Sequence, residues 1–190
     1  MDSKGEGGKL VASRIKQNTE PEIRGHVVTK LISIERFSVI SAKPFADVVH
    51  AIRAQVGHPD ITKFLTDAST AKDDQELQQI VADAVGPSDL MEFISFDQGA
   101  VLRREPGSAA SNVLRLLIGN PLTMRKMVKH VRDAGSYAPV TILIDERSDG
   151  VHISYDRMVS LIAPYENSEA LQVARALDNK VEGILVAAAK

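Results

Sequence analysis

The residues best placed to do chemistry surround Gly119-Asn120-Pro121, where an apolar run turns into a basic amphipathic helix. Asparagine suits a helix N-cap and proline suits the first turn, so the spacing predicts a helix that begins at Pro121. The free N–H groups of a helix N-terminus can bind an anion, and Arg125 follows one turn later. We therefore predict a ligand site at Asn120 and Arg125. The alternative, left open, is that Asn120 caps the helix itself and leaves no N–H for a ligand.

A second group of polar side chains lies at the end of the basic helix and in the last strand pair. His130 could meet His152 and Asp156 if the helix lies over those strands, and Tyr155 lies on the opposite face of the same strand. Single histidines are usually structural or solvated, and Asp156 could equally cap a short helix. The candidate ligand-binding residues are thus Asn120, Arg125, His130, His152, Tyr155 and Asp156.

Several classes of chemistry are disfavoured by what the sequence lacks. It has no cysteine, so disulfides and thiolate chemistry are excluded. No HExxH, P-loop, GxGxxG or GxSxG motif occurs, so we predict no metal site, assign no catalytic residue and leave any cofactor unknown. Aromatic residues make up only 4% and the net charge is −2, which argues against nucleic-acid binding. No apolar run approaches the ~20 residues of a membrane span, and no signal peptide is visible, so we expect a cytoplasmic protein.

Charge is unevenly distributed along this nearly neutral chain. Between Asp60 and Asp97 there are nine acidic residues against two lysines. Between Arg103 and Arg132 there are seven basic residues against Glu105 alone. Most surface charge only solvates a fold, so the simpler interpretation is two faces that meet within the fold or across an oligomer. The other interpretation is an anion site on the basic segment.

Hydrophobic periodicity predicts an N-terminal arm at 1–25 and a single α+β domain at 26–190 with a helical insert at 58–88. The expected order is β-α-(helical insert)-β-β-β-α-β-β-α, an antiparallel sheet covered by helices. Predicted strands lie within 26–41, in one piece or in two, and at 90–96, 100–104, 113–118, 139–144 and 151–155. Predicted helices lie near 10–16, at 44–57, at 121–135, after Asp156 and from about 168 to the end, besides those of the insert.

An ordered set of short motifs resembles a known family. IGNP entering a helix is followed by DAGSYAPVTILIDE, then DGVHISYD, then a long C-terminal helix. This set resembles the bacterial domain-of-unknown-function family 302, over about Glu92–Lys190, with Lys43–Val56 similar to the family's first helix. The resemblance implies a compact α+β domain that self-associates, without an established activity. The arm and the insert at 58–88 depart from the short members.

Two functions from different classes follow as hypotheses. The first is a non-catalytic protein that binds a small anionic or amphipathic ligand between sheet and helices and forms a homodimer. The second is a structural module that assembles through its acidic and basic segments. An enzyme of unknown reaction comes third, since no nucleophile–base pair is recognisable in the sequence.

Overall fold

A five-stranded antiparallel sheet forms the centre of the fold in this computed structural model, which describes residues 27–106 and 112–190. The strands are β1 (Arg36–Ser41), β2 (Met91–Asp97), β3 (Val113–Gly119), β4 (Val140–Arg147) and β5 (Gly150–Asp156). Their spatial order is β1-β5-β4-β3-β2, and every neighbouring pair is antiparallel. Ile32–Lys190 forms one compact unit. The predicted arm, its helix near 10–16 and the boundary at 25–26 lie outside the described residues.

Seven α-helices accompany the sheet within residues 27–106 and 112–190. They are α1 (Phe45–Arg53), α2 (Ile61–Thr70), α3 (Asp74–Ala84), α4 (Gln98–Leu102), α5 (Pro121–Val128), α6 (Met158–Ile162) and α7 (Ser168–Ala189). Two short 3-10 turns occur at Arg132–Ser136 and Ala163–Tyr165. In the part of the chain that the structure describes, no helix has both the length and the apolar composition needed to cross a membrane.

The core lies between one face of the sheet and the helices. Alternate residues of β4 and β5 are buried there, as the period of two predicts, with Ile144 opposite Ile153 and Ile142 opposite Tyr155. The buried stripe of α7 packs against them and includes Leu177, Val181 and Leu185. The α+β class, the antiparallel sheet and the helical covering of one face are therefore as predicted.

The strands near the N-terminus and after β2 differ from the prediction. Strand structure occupies only Arg36–Ser41 of the interval 26–41 among its described residues. The predicted returning strand at 100–104 is wrong, because Asp97 accepts a hydrogen bond from Ala100 N at 2.8 Å and starts α4 there. The capping side chain thus favours a helix at a position where the apolar alternation predicted a strand. β2 pairs with β3 instead, so the sheet has one strand fewer than expected.

Two helix ends also differ from the prediction. α5 stops at Val128 instead of continuing to Gly135, and Arg132–Ser136 forms a 3-10 turn. Asp156 was predicted to cap α6, but the N-cap position belongs to Arg157 and carries no side-chain cap. The carboxylate of Asp178 from α7 takes that role, accepting from Met158 N at 2.8 Å and Val159 N at 3.0 Å. The cap comes from a residue distant in sequence, which local spacing cannot show.

Candidate functional site

The joint between β3 and α5, at Gly119-Asn120-Pro121, forms as the sequence predicts. Both polar atoms of the Asn120 side chain make hydrogen bonds there. Its Oδ1 accepts from Leu122 N at 2.8 Å and Thr123 N at 3.3 Å. Its Nδ2 donates to the main-chain oxygen of Asp89 at 3.1 Å and to Asp89 Oδ1 at 2.9 Å. The side chain is 7% exposed. Asn120 therefore ties α5 to the segment before β2 as well as capping the helix.

These bonds leave no donor for an anion at the start of α5. Pro121 has no N–H, the next two N–H groups bond to Asn120 Oδ1, and Met124 N donates to the main-chain oxygen of Asn120 at 3.0 Å. The Asp89 carboxylate beside the cap also disfavours a second negative charge. Of the two interpretations left open by the sequence, the geometry favours the self-capped helix.

A largely apolar cavity of about 230 Å³, called the joint cavity below, opens beside Gly119-Asn120-Pro121. One wall comes from the first turns of α5 and another from α2, and β4 and α7 complete it. Among the described residues, Asn120 and Thr123 are the only polar side chains in its lining. The lining residues are Phe64, Leu65, Ala68, Phe93, Gly119, Asn120, Pro121, Thr123, Met124, Met127, Ala138, Pro139, Val140 and Leu177. The cavity can therefore hold an apolar group and offers it almost no hydrogen bonding.

Two kinds of contact hold α2 in place as a wall of the cavity. They are close backbone packing at Gly57 and Gly86, and an aromatic contact. Gly57 N donates to Leu90 O at 2.9 Å, and Gly86 N donates to the same oxygen at 2.9 Å. A Cβ on Gly57 would lie 2.0 Å from the main-chain oxygen of Ala84. Only glycine therefore allows the segment after α1 to approach the end of α3 this closely. Phe64 packs edge-on against Phe93 with ring centroids 6.5 Å apart.

Arg125 pairs with a residue of a neighbouring helix. Its Nη1 donates to Asp74 Oδ1 at the start of α3, and the two groups form an ion pair. This contact lowers the pKa of the Asp74 carboxyl, and a hydrogen bond from Gln78 acts in the same direction. The acidic and basic segments of the sequence thus meet within one chain at this contact. The simpler interpretation of the acidic and basic segments allowed them to meet either within the fold or across an oligomer. This contact is of the first kind.

His130, which could have met His152 and Asp156 if the basic helix lay over the last two strands, lies apart from them. His130 follows α5 on the helical side, close enough to Glu169 to help lower the pKa of that carboxyl after the larger effect of Ser168. His152 lies on the opposite face of the sheet, with Nε2 2.8 Å from Asp149 Oδ1. The alternation of β5 points His152 away from the helices, so the condition under which the cluster would form is not met.

Asp156 and Tyr155 likewise separate to the two faces of β5, as the sequence predicts. Asp156 accepts two hydrogen bonds from Arg36 on the neighbouring strand β1, at 2.7 and 2.9 Å. Tyr155 is buried in the core and donates to Asp178 Oδ1 at 2.6 Å. Burial, followed by the negative charge of Asp178, raises the pKa of the Tyr155 hydroxyl well above its usual range, so it is a hydrogen-bond donor and not a base.

Sequence reasoning missed the residues that contribute most to these sites. Asp178 was overlooked, although a charged residue between Ala174 and Val181 interrupts the buried stripe of α7 and was a visible signal. Phe64 and Phe93 were assigned to separate elements, and nothing in the sequence shows that they meet. Within the described residues, no group of three histidine, cysteine, aspartate or glutamate side chains could hold a metal ion.

Comparison with known proteins agrees with this architecture. A crystal structure of an uncharacterized conserved protein DUF302 from Bacillus stearothermophilus superposes with a TM-score of 0.56. It shares 9% sequence identity and covers 82% of this chain and 98% of that one, so the likeness concerns the fold alone. No curated protein matches the chain significantly.

The family model of the domain of unknown function DUF302 matches residues 65–188. This range contains all of β2 to β5 and the motifs that carried the resemblance. It also contains most of 58–88, so from residue 65 onward that segment is part of the family region and not an addition to it. The segment Lys43–Val56, expected to match the family's first helix, lies outside the range. Because the match covers more than half of the sequence, the chain belongs to the DUF302 family.

Proposed function

We propose that this chain is a non-catalytic binding protein for a small apolar molecule, or for the apolar part of an amphipathic one, held in the cavity beside Asn120. The observation that carries the proposal is the composition of the lining, in which twelve of the fourteen side chains or glycine positions are apolar. Specific small-molecule sites commonly combine such walls with a few polar groups that orient the ligand. Here Thr123 is the lining residue whose hydroxyl can do this, because the side-chain hydrogen bonds of Asn120 are already used within the protein.

The chemistry of the lining favours binding over catalysis. None of the lining residues carries a group that titrates near neutral pH, so none of them can act as a general acid or base. Met124 and Met127 have flexible, polarizable side chains that adapt to ligands of different shape. An apolar occupant gains the free energy of leaving water without leaving a charge of the protein unpaired.

The size of the cavity limits the ligand. A volume of about 230 Å³ corresponds to roughly seven or eight water molecules at ~30 Å³ each. A single aromatic ring or a short alkyl chain fits that space. A larger amphipathic molecule would place only its apolar end there.

Toluene is a suitable probe, and Ala68→Leu on the α2 wall is the test variant. A ligand that binds only the folded state stabilises that state by RT ln(1 + [L]/Kd). We therefore expect toluene to raise the melting temperature of the wild type. The added side chain of Ala68→Leu occupies cavity volume and should remove most of that rise. Ala100→Leu, on the exposed side of α4, is the matched control and should keep it. Equal shifts in both variants, or no shift in the wild type at saturating toluene, would contradict the proposal.

Self-association is the second candidate, and we propose that it uses the edge of the sheet at β2. This strand ends the sheet, and the apolar side chains around it are exposed to solvent. The exposed residues are Ile94, Phe96, Val101 and Leu102. A second copy of β2 is the natural occupant, because two identical antiparallel edges related by a twofold axis can satisfy each other's backbone groups. The charge blocks are less suited to this role, since Asp74 and Arg125 already pair within the chain.

Light scattering over a range of protein concentrations tests this second proposal. The wild type is expected to be dimeric, and Ile94→Lys should shift it to a monomer by placing a charge at the interface. Ile40→Lys on β1, the opposite edge, is the matched control because Ile40 is also exposed. A wild-type monomer at every concentration, or equal effects of the two lysines, would overturn the β2 interface.

A further inference from the structure

The face of the sheet that turns away from α1, α5 and α7 carries a polar hollow centred on an arginine. We propose that this face holds a second site, which shares with the joint cavity only the wall at Ala138, Pro139 and Val140 among the described residues, where Arg115 binds the carboxylate of a small molecule with a short apolar body. Arg115 lies on β3, opposite Phe96 of β2 and Leu143 of β4. Cross-strand partners share a face, so this row runs across the side of the sheet opposite α1, α5 and α7.

Arg115 has unused hydrogen-bonding capacity. Its Nη2 donates one hydrogen bond, to Thr141 Oγ1 at 3.3 Å, and its guanidinium carbon lies 5.9 Å from the ring centroid of Phe96. Among the residues that the structure describes, no carboxylate forms an ion pair with it. A guanidinium has five N–H donors arranged to grip a planar carboxylate in two places. The stacking on Phe96 limits the motion of this group without using those donors.

Asp156, the acidic residue that lines the hollow among the described residues, is already paired. Arg36 engages both of its oxygens, Oδ1 from Nε at 2.7 Å and Oδ2 from Nη2 at 2.9 Å. The hydrogen bond to Asp156, followed by the charge of that carboxylate, raises the pKa of the Arg36 guanidinium. The three charged groups therefore leave one net positive charge, and it resides on Arg115.

Neutral polar groups complete the head-group side of the site. The hollow has a volume of about 230 Å³, and Gln98 and Ser154 line it together with Arg115 and Thr141. Within the described residues, neither the Gln98 amide nor the Ser154 hydroxyl has an intramolecular side-chain hydrogen bond. Both can donate to a carboxylate held by Arg115. Charge-assisted bonds of this kind are about twice as strong as neutral ones.

An adjoining hollow supplies space for an apolar body. Its volume is about 310 Å³, and it shares Arg115, Thr141 and Asp156 with the first. Its walls include Leu117, Pro139 and Leu161. A ligand with its carboxylate on Arg115 can thus lay a short alkyl or aromatic group against apolar side chains. Both hollows are open to solvent, so the expected affinity is modest, in about the millimolar range.

The test is an amide NMR titration with hexanoate, using hexanol as a neutral probe of the same chain length. We expect hexanoate to shift the resonances of Phe96, Arg115, Thr141 and Ser154 in a saturable way, and hexanol to leave them unchanged. Arg115→Gln should weaken hexanoate binding by roughly 10- to 100-fold, the usual effect of losing a charged hydrogen-bond partner. Arg147→Gln is the matched control, because Arg147 is an exposed arginine of the same sheet that pairs with Asp145. It should bind hexanoate like the wild type.

Failure of this site can be told apart from failure of the joint cavity. The joint cavity is reported by the methyl groups of Met124 and Met127, which hexanol should perturb and Arg115→Gln should not affect. Unchanged hexanoate affinity in folded Arg115→Gln, equal shifts with hexanoate and hexanol near Arg115, or no saturable shift there would each overturn the carboxylate site. None of these results depends on whether toluene binds beside Asn120.

Discussion

The hydroxyl of Tyr155 donates to Asp178 Oδ1 at 2.6 Å, which joins the last strand of the sheet to the long C-terminal helix inside the core. The same carboxylate accepts the first two N–H groups of α6, from Met158 and Val159. A carboxylate that is 5% exposed would be costly to bury alone. Three donors compensate that cost and fix how β5, α6 and α7 meet.

Asp178→Ala should destabilise the fold strongly. It leaves the Tyr155 hydroxyl and two backbone N–H groups buried without an acceptor, and we expect the free energy of unfolding to fall by about 2–4 kcal/mol. Urea unfolding followed by circular dichroism measures the change. Asp83→Ala, on the exposed face of α3, should change stability by less than about 0.5 kcal/mol. Similar losses in the two variants would show that the buried network contributes nothing special.

The pH dependence of stability should carry the signature of the same carboxyl. Burial raises the pKa of Asp178 above its ordinary 3.8, although the hydrogen bond from Tyr155 opposes the shift. The folded state then holds the proton more tightly than the unfolded state does. Stability from this group is therefore present below the ordinary pKa and is lost as pH rises through the raised one.

Asp178→Asn should remove this contribution, since the amide does not titrate. We expect the free energy of unfolding of the wild type, relative to the Asn variant, to decrease as pH rises through the range just above 3.8. Urea unfolding at a series of pH values gives the difference, and other carboxyls cancel because both proteins share them. A difference that increases with pH would contradict the raised pKa.

The contact between Arg125 and Asp74 should be visible as a pKa effect. The arginine lowers the pKa of the Asp74 carboxyl, and Gln78 lowers it further. Arg125→Gln is expected to bring that pKa back toward its ordinary range, as measured by carboxyl carbon NMR during an acid titration. Lys126→Gln, the neighbouring exposed cation of α5, should have little effect. Equal responses would mean that general charge, and not the specific pair, sets the Asp74 pKa.

Replacing Asn120 should affect stability more than ligand binding. Asn120→Ala removes the cap of α5 and the two bonds to Asp89, so we expect a loss of about 1–2 kcal/mol in urea unfolding. Asn179→Ala, exposed on α7, is the comparison and should be near neutral. Toluene should still bind the folded variant, because the cavity walls are mainly apolar. Complete loss of toluene binding would instead assign Asn120 a direct role in holding the ligand.

The sequence by itself determined the elements whose signals are local. Gly119-Asn120-Pro121 fixed the start of α5, because the cap and the proline act within a few residues of each other. Alternation placed Val151, Ile153 and Tyr155 on one face of β5, and the apolar stripe predicted α7. The motifs spread over these elements were enough to indicate the family, which the family model confirms.

Tertiary structure decided everything that depends on residues distant in sequence. Asn120 was a ligand candidate until the position of Asp89 and the first-turn N–H groups showed that its hydrogen bonds are all used. Asp178, not Asp156, caps α6, because α7 returns to the end of β5. The joint cavity exists only because α2 packs its aromatic residue beside β2. Local patterns encode periodicity and caps, whereas which side chains share a cavity or a buried proton depends on how the elements pack.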